Sequence, residues 1–340
     1  MRIKIIKVVS VFAASWVVST GALAQDCDRS CLEGVVDNYL DAVIDNNPAA
    51  VPLSDDVRFT ENGQQLLVGD GLWRTMKTKG DYRILIADVN AGTVGFMGTI
   101  GEDHKEPSEF TPALLSLRLR LENGEITEVE QFVARDEGAA KRLAEATPHF
   151  SFTETIPVSE RMSREDLITT ANKYFSGMQK NDGNGDYPFT DNCNRFENGM
   201  QTTNAPVPEG QVRSDPSDAS TYSSQWGCRE QFESGLLYFV NRIRDRRFVA
   251  VDEERGLVFT YVFFDHSGGD TRNGVTPSGR AVKGGPVQPW TWYIAELIKV
   301  ENGQLRQIEA FLEQSPYGMT SGWSSFEDGM SDVIQDVTFK

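Results

Sequence analysis

Leu121-Glu-Asn-Gly-Glu-Ile-Thr-Glu-Val-Glu-Gln-Phe-Val133 and Val300-Glu-Asn-Gly-Gln-Leu-Arg-Gln-Ile-Glu-Ala-Phe-Leu312 align without a gap. Each reads as strand, turn and strand, because Asn-Gly supplies the positive φ that a tight hairpin needs. Two further matches lie upstream in the same order. Arg58-Phe-Thr-Glu-Asn-Gly63 echoes Arg195-Phe-Glu-Asn-Gly199, and Arg83-Ile-Leu-Ile-Ala-Asp88 with Gly92 echoes Arg247-Phe-Val-Ala-Val-Asp252 with Gly256. Three ordered matches identify two diverged copies of one domain. The second copy is longer by 43 residues between its Asn-Gly signals.

Each copy opens with an amphipathic helix. Leu32, Val35, Val36, Tyr39, Leu40, Val43 and Ile44 share one face in the first, with Ser30 and Glu33 as its capping box. Leu167, Ile168, Ala171, Tyr174, Phe175 and Met178 do so in the second, which starts at Ser163. A second helical stretch is expected over 71–77 and over 229–242, followed by three or four strands. This succession predicts an α+β fold in which helices cover one face of a curved antiparallel sheet. The expected boundaries are a leader at 1–24, copy one at 25–149, a linker at 150–162 and copy two at 163–340. Two stretches rich in Pro, Ser, Asp and Gly, 202–224 and 267–289, read either as lids or as mobile surface.

The leader has Arg2, Lys4 and Lys7, an apolar run from Val8 to Val18 and the small-x-small site Ala22-Leu23-Ala24. That run of 11 residues is shorter than the ~20 a spanning helix needs. The expected mature protein begins near Gln25 and is periplasmic or secreted. Formal charge is −17, which argues against nucleic acid and anionic membrane as partners. Four cysteines, Cys27, Cys31, Cys193 and Cys228, allow three pairings. Pairing within each copy, Cys27–Cys31 and Cys193–Cys228, is favoured over a metal site because no histidine stands at ligand spacing from them. No metal or cofactor is expected. The chain has no Gly-x-Ser-x-Gly elbow, no P-loop and no His-Glu-x-x-His.

The closing strand pairs Glu122-Asn-Gly-Glu-Ile-Thr-Glu-Val-Glu130 and Glu301-Asn-Gly-Gln-Leu-Arg-Gln-Ile-Glu309 resemble the SnoaL-like branch of the nuclear-transport-factor-2-like superfamily. Cys27-Asp-Arg-Ser-Cys31, Phe264-Asp-His266 and Pro316-Tyr-Gly-Met-Thr-Ser-Gly-Trp323 also resemble a family of exported two-copy proteins of uncharacterised function. The resemblance implies two tandem cones, each open at one end to hold a small, largely apolar molecule. Enzymes of that superfamily include ketosteroid isomerases, scytalone dehydratase, limonene epoxide hydrolase and polyketide cyclases, while other members only bind or dimerise, so fold alone implies no activity.

Function is expected in the second copy. The strand Leu257–Phe264 ends in Asp265-His266, where the first copy has Gly101-Glu102. Alternation puts Asp265 with Tyr261 and Phe263, and His266 with Val262 and Phe264, so the two face opposite sides. The competing reading makes both a strand-end pair holding the next turn. Glu130 and Glu309 recur at one position, either as a carboxyl whose pKa burial raises or as a buried salt bridge, to Arg118 in the first copy. The candidate catalytic set is His266, Glu309, Glu197, Tyr174 and Asp265. Arg229, Tyr261, Trp292 and Tyr317 are the candidate substrate contacts, although Arg229 also reads as an exposed first-turn arginine. Two functions follow: a cofactor-independent lyase, dehydratase or isomerase using general acid–base catalysis on a hydrophobic, aromatic or polyketide-like molecule, or a non-catalytic carrier of such a molecule. The copies are expected to pack on each other.

Overall fold

The structure, a computed structural model, describes residues 27–106 and 109–337, so the expected leader lies outside the described residues. The first half runs α1 (Arg29–Ile44), β1 (Leu53–Glu61), β2 (Gln64–Gln65), the short α2 (Leu72–Thr75), β3 (Met76–Asp88), β4 (Thr93–Asp103), β5 (Phe110–Glu122), β6 (Glu125–Ala134) and α3 (Glu137–Ala144). The second runs α4 (Arg164–Met178), β7 (Phe189–Glu197), β8 (Met200–Gln201), α5 (Cys228–Glu233), β9 (Arg242–Asp252) and β10 (Leu257–His266). A small hairpin follows, β11 (Asn273–Val275) with β12 (Ala281–Lys283). The half then closes with β13 (Trp290–Glu301), β14 (Gln304–Ser315), α6 (Phe326–Gly329) and β15 (Ile334–Asp336).

The sheets share one strand order. It is β2-β1-β6-β5-β4-β3 in the first half and β8-β7-β14-β13-β10-β9 in the second, where β15 adds beyond β9. Neither sheet is wholly antiparallel as expected: β1 runs parallel to β6 and β7 parallel to β14. The first strand of each half returns to the last, and such distant pairing leaves no turn signal in the chain. The second helical stretches are also shorter than expected: β3 claims the residues from Met76 onward, and α5 ends at Glu233, just before Gly235 at φ 67°. Helix α1 is capped by Asp28, which accepts from the Cys31 amide, rather than by Ser30. Ser163 caps α4 by accepting from the Asp166 amide.

Matching details recur across the halves. Asn62 and Asn198 sit at φ 48° and 47°, and each side-chain amide brackets a backbone group of the closing strand. Asn62 Oδ1 accepts from Val133 N at 2.7 Å and Asn198 Oδ1 from Leu312 N at 2.9 Å. Gly92 and Gly256, both at φ 61°, accept from Leu121 N and Val300 N at 2.8 Å. A Cβ at either glycine would press on the carbonyl of that same partner, so glycine is required there.

Three apolar layers hold the molecule together. Helix α1 packs on one face of its sheet around Leu32, Tyr39, Phe96 and Leu117. Helix α4 does the same around Leu167, Phe175, Phe248 and Ile298. The opposite faces of the two sheets meet through Ile84, Met97 and Phe132 on one side and Phe259, Phe263 and Phe311 on the other. Buried charge is set into this seam. Glu130 accepts from both Arg247 Nη atoms at 2.8 and 2.7 Å, from Arg118 Nε at 3.3 Å and from the Tyr293 hydroxyl at 3.1 Å. The helix starts clasp across the seam: Arg29 holds Asp252 with two bonds of 2.7 Å, and Arg164 holds Asp88 at 2.5 Å.

Both intra-half disulfides form, Cys27–Cys31 with Cα atoms 5.2 Å apart and Cys193–Cys228 at 5.9 Å, within the ordinary range. Among the described residues no helix is long and apolar enough to cross a membrane.

Candidate functional site

The second half encloses a cavity between α4 and the inner face of its sheet. Alternation decides what reaches it. On β13, Trp292, Ile294 and Glu296 point inward while Tyr293, Ala295 and Leu297 point to the seam. On β10, Phe264 and His266 point inward; on β14, Ala310 and Leu312 do. Tyr174 and Met178 descend from α4, and Arg195 and Glu197 enter from β7. Tyr222, from the first long segment, and Phe239 close the mouth, with rings 6.0 Å apart and nearly parallel. That segment is tied to the second one by Arg280, which donates to the Ala219 carbonyl at 2.5 Å. The enclosed volume is about 60 Å³. A drug-sized ligand needs roughly 300 Å³ or more, so the space admits a compact group only.

Six ionisable side chains line this small space: Tyr174, Arg195, Glu197, Tyr222, His266 and Glu296. Arg195 donates to Glu197 at 2.6 Å and to Gln231 Oε1 at 2.7 Å, and its guanidinium lies 5.4 Å from the Tyr174 ring centroid. The Tyr174 phenol and the Glu296 carboxyl both line this space, and Glu296 Oε2 is buried with no hydrogen-bond partner. Burial pushes Glu296 up to about 8, against the pull of Arg195 and with help from Glu197. Burial also raises the Tyr174 phenol well above its usual value. At the opposite wall His266 stacks on Trp290, with ring centroids 3.9 Å apart. Its Nδ1 lies 3.2 Å from the Phe264 carbonyl, so the proton sits on Nδ1 and Nε2 carries the lone pair. Burial lowers its pKa to about 4 despite the Phe264 carbonyl and Asp265. The ring is neutral at physiological pH.

Of the residues expected from sequence, the fold brings Tyr174, Glu197, His266 and Trp292 together and removes the others. Glu309 points from β14 into the seam, where it meets Tyr82 of the first half, and burial raises its pKa to about 8. Asp265 also faces away from the cavity. It is fully buried and held by Arg242, Arg244 and Thr291 at 2.6–2.8 Å; burial opposes ionisation, but these partners keep the carboxyl below its usual range. Tyr261 lies in the seam 3.4 Å from the Glu130 carbonyl. Arg229 donates to the Tyr187 and Phe189 carbonyls at 2.8 and 2.6 Å, securing the approach to β7 instead of a ligand. Tyr317 is exposed, outside the cavity.

Sequence reasoning missed Glu296, Arg195 and Tyr222. A signal for the first was present: Glu296 is a lone carboxylate in the apolar run Tyr293-Ile-Ala-Glu-Leu-Ile298, on the same side as Ile294 and Ile298.

The first half lacks this set. The shared register places Leu117 where the second half has Glu296, and Phe59 where it has Arg195. What remains is a self-satisfied chain: Tyr39 donates to Gln131 Oε1 at 2.7 Å, and Gln131 donates to Glu61 at 3.3 Å. Glu61 also accepts from Leu72 N at 2.7 Å. A larger groove of about 560 Å³ lies elsewhere, against the linker from Thr153 to Glu160. Its Glu301 already pairs with Lys299 and Arg306, and it shares nothing with the ionisable cluster. Among the described residues no three His, Cys, Asp or Glu side chains gather to hold a metal ion.

A family model described as a domain of unknown function, DUF8021, matches residues 25–133 and 160–312, one region in each half. The chain belongs to the DUF8021 family. No curated protein matches it. Among solved structures, this DUF8021 chain is similar to AclR, a hydroxylase candidate from Streptomyces galilaeus, at 13% identity over 39% of this chain and 92% of that one, with a TM-score of 0.27. An NTF2-like protein from Burkholderia thailandensis is 18% identical over 30% of this chain and 89% of its own, with a TM-score of 0.24. A de novo designed protein with a curved β-sheet is 15% identical over 45% and 88%, also at 0.24.

Proposed function

We propose that the second half is a cofactor-independent proton-transfer catalyst, a lyase, dehydratase or isomerase, acting on a compact, uncharged and largely apolar molecule or on the head of a larger one. The observation that carries this reading is Glu296: a buried carboxyl facing the cavity with one oxygen unbonded and a pKa of about 8. Such a group is mostly neutral near pH 7 and can donate a proton, yet lies within about a unit of ionising and can take one back. Tyr174 and Arg195 stand beside it, suited to stabilise negative charge developing on a substrate oxygen. His266 offers a neutral acceptor across the cavity. Tyr222, Phe239 and Trp292 supply apolar contact at the mouth. Glu296 thus takes the role expected of Glu309, and Asp265 has none. The two disulfides suit an oxidising compartment, in keeping with a periplasmic or secreted protein cleaved after Ala24.

The alternative is a carrier that binds without converting, and the aromatic mouth favours it. Small-molecule capture on the purified mature protein, followed by mass spectrometry, separates the two. If the protein is a catalyst, Glu296→Gln retains a compound that the wild type converts and releases altered. Recovery of the same unaltered compound from both proteins overturns catalysis and supports the carrier. Failure of both to retain anything beyond a bovine serum albumin control overturns both readings.

A further inference from the structure

We propose a second, separate site: a compact-oxyanion pocket at the seam, built from both halves and selective for a phosphate, sulfate or carboxylate group. A cleft of about 150 Å³ opens there, lined by Arg58, Arg118, Arg120, Arg247, Glu128 and Trp323 among others. Four arginines and one acid around so small a space are unusual in a chain of charge −17, where the whole-molecule field repels anions.

The placement follows from register. Strands β1, β6 and β5 are neighbours, Arg58 lies opposite Glu128, and Glu128 lies opposite Arg120. One row across the sheet face therefore reads Arg, Glu, Arg, with strands about 4.8 Å apart. Two residues on, the next row reads Thr60, Glu130, Arg118. Trp323 of the second half is wedged against this face. Arg58 and Arg118 lie 4.4 and 4.5 Å from its ring centroid, and its Nε1 donates to Thr60 Oγ1 at 2.8 Å. Stacking of this kind holds a guanidinium flat while leaving its edge free to donate.

The acids present are spoken for unevenly. Glu130 is consumed by Arg247 and Arg118, Asp245 lies 3.5 Å from Arg247 Nε, and Glu128 bonds Arg118. Among the described residues Arg58 donates to the Gly322 carbonyl and to no carboxylate. Arg120 meets Glu122 at 2.9 Å in an ion pair that lacks hydrogen-bond alignment, and Glu122 is half exposed. Among the described residues, Arg58 and Arg120 thus flank the cleft without a hydrogen-bonded carboxylate of their own lining it. An oxyanion between them would accept from both, as arginine forks do with carboxylate and phosphate.

The test uses the mature protein at constant ionic strength, titrated with inorganic phosphate, sulfate or acetate against chloride. Thermal midpoint and tryptophan fluorescence are read together. The expected result is a saturable response to at least one oxyanion, with half-saturation shifted at least tenfold in Arg58→Gln and in Arg120→Gln. It should be unchanged in Arg74→Gln, which removes the same charge at an exposed position. Trp323→Phe should erase the fluorescence change. If Arg58→Gln fails to fold, Arg120→Gln carries the test. A response that grows linearly with oxyanion concentration without saturating, or one that Arg120→Gln leaves at the wild-type midpoint, overturns the proposal. Which anion saturates first tells a tetrahedral ligand from a carboxylate.

Discussion

The two halves share a strand order, a helix on the same face, a tyrosine at the same helical position and the same Asn-Gly hairpins, yet their interiors have parted. Where the first half packs Phe59 and Leu117 against Tyr39, the second sets Arg195 and Glu296 against Tyr174. Two apolar side chains in one half correspond to a cation and an acid in the other. The first interior is a packed core in which Tyr39, Gln131 and Glu61 bond one another, and the second has a space with an unbonded carboxyl oxygen. One scaffold therefore supports either a plug or a candidate reaction chamber, and two inward positions make most of the difference. Glu130 and Glu309 repeat the lesson on the outer faces. Glu130 sits among three partners, Arg247, Arg118 and Tyr293, whereas Glu309, at the equivalent position, meets one phenol and burial raises its pKa to about 8.

The sharpest way to break this comparison is to exchange the roles of the halves. Once a converted compound is known, Glu296→Gln should cut turnover by roughly 10²–10⁴-fold, while Glu61→Gln in the first half should change it by less than about threefold. The reverse outcome would move the working site into the first half. On stability, Glu130→Ala should cost about 3–5 kcal/mol in urea unfolding, because it strands Arg247 and Arg118 in the seam. A loss below about 1 kcal/mol would mean the cluster is not a joint. The disulfides should differ by loop length. Opening Cys193–Cys228 by paired serines should cost roughly 3–4 kcal/mol, and opening Cys27–Cys31 about 2 kcal/mol; equal losses would show that chain entropy does not govern them.

The mildest test concerns pH. Folded Glu309 titrates near 8 against 4.5 for the free side chain, so the folded state holds the extra proton between those values. Its contribution is complete below pH 4.5 and lost as pH rises to about 8. Glu309→Gln should therefore remove up to about 1.4 kcal/mol per pH unit from the wild-type decline across that window. An unchanged slope would mean the carboxyl is already ionised.

Local signals were legible in the sequence and distant ones were not. The hairpins could be read because Asn-Gly forces its own turn, the opening helices because their apolar faces repeat, and the half-by-half disulfides because each pair lies within one copy. The parallel return of β1 to β6 could not be read, since nothing near either strand encodes it. The echo of Arg58 and Arg195 is not an equivalence of position, because the two motifs differ by one residue before Glu-Asn-Gly. Counted from the shared Glu-Asn-Gly, Arg195 matches Phe59, and a one-residue offset turns a strand side chain to the other face. Arg58 therefore faces the seam while Arg195 faces the cavity. Glu309 was readable only as either a raised carboxyl or a buried salt bridge, and alternation along β14 sends it outward beside Phe311.

The reciprocal clasp, Arg29 to Asp252 and Arg164 to Asp88, is the pattern of a two-fold dimer in which residue i of each protomer meets residue j of the other. Here both protomers are one polypeptide. The partner is permanently at hand, so assembly does not weaken on dilution as it would for separate chains, and the unfolding midpoint should not vary with protein concentration. Fusion also changes what a single codon can do. In a homodimer every substitution is felt at two places at once, and a charged residue introduced into one interior is introduced into both. In this chain a change falls on one side only, which is how Glu296 could arise in one lobe while Leu117 kept the other shut.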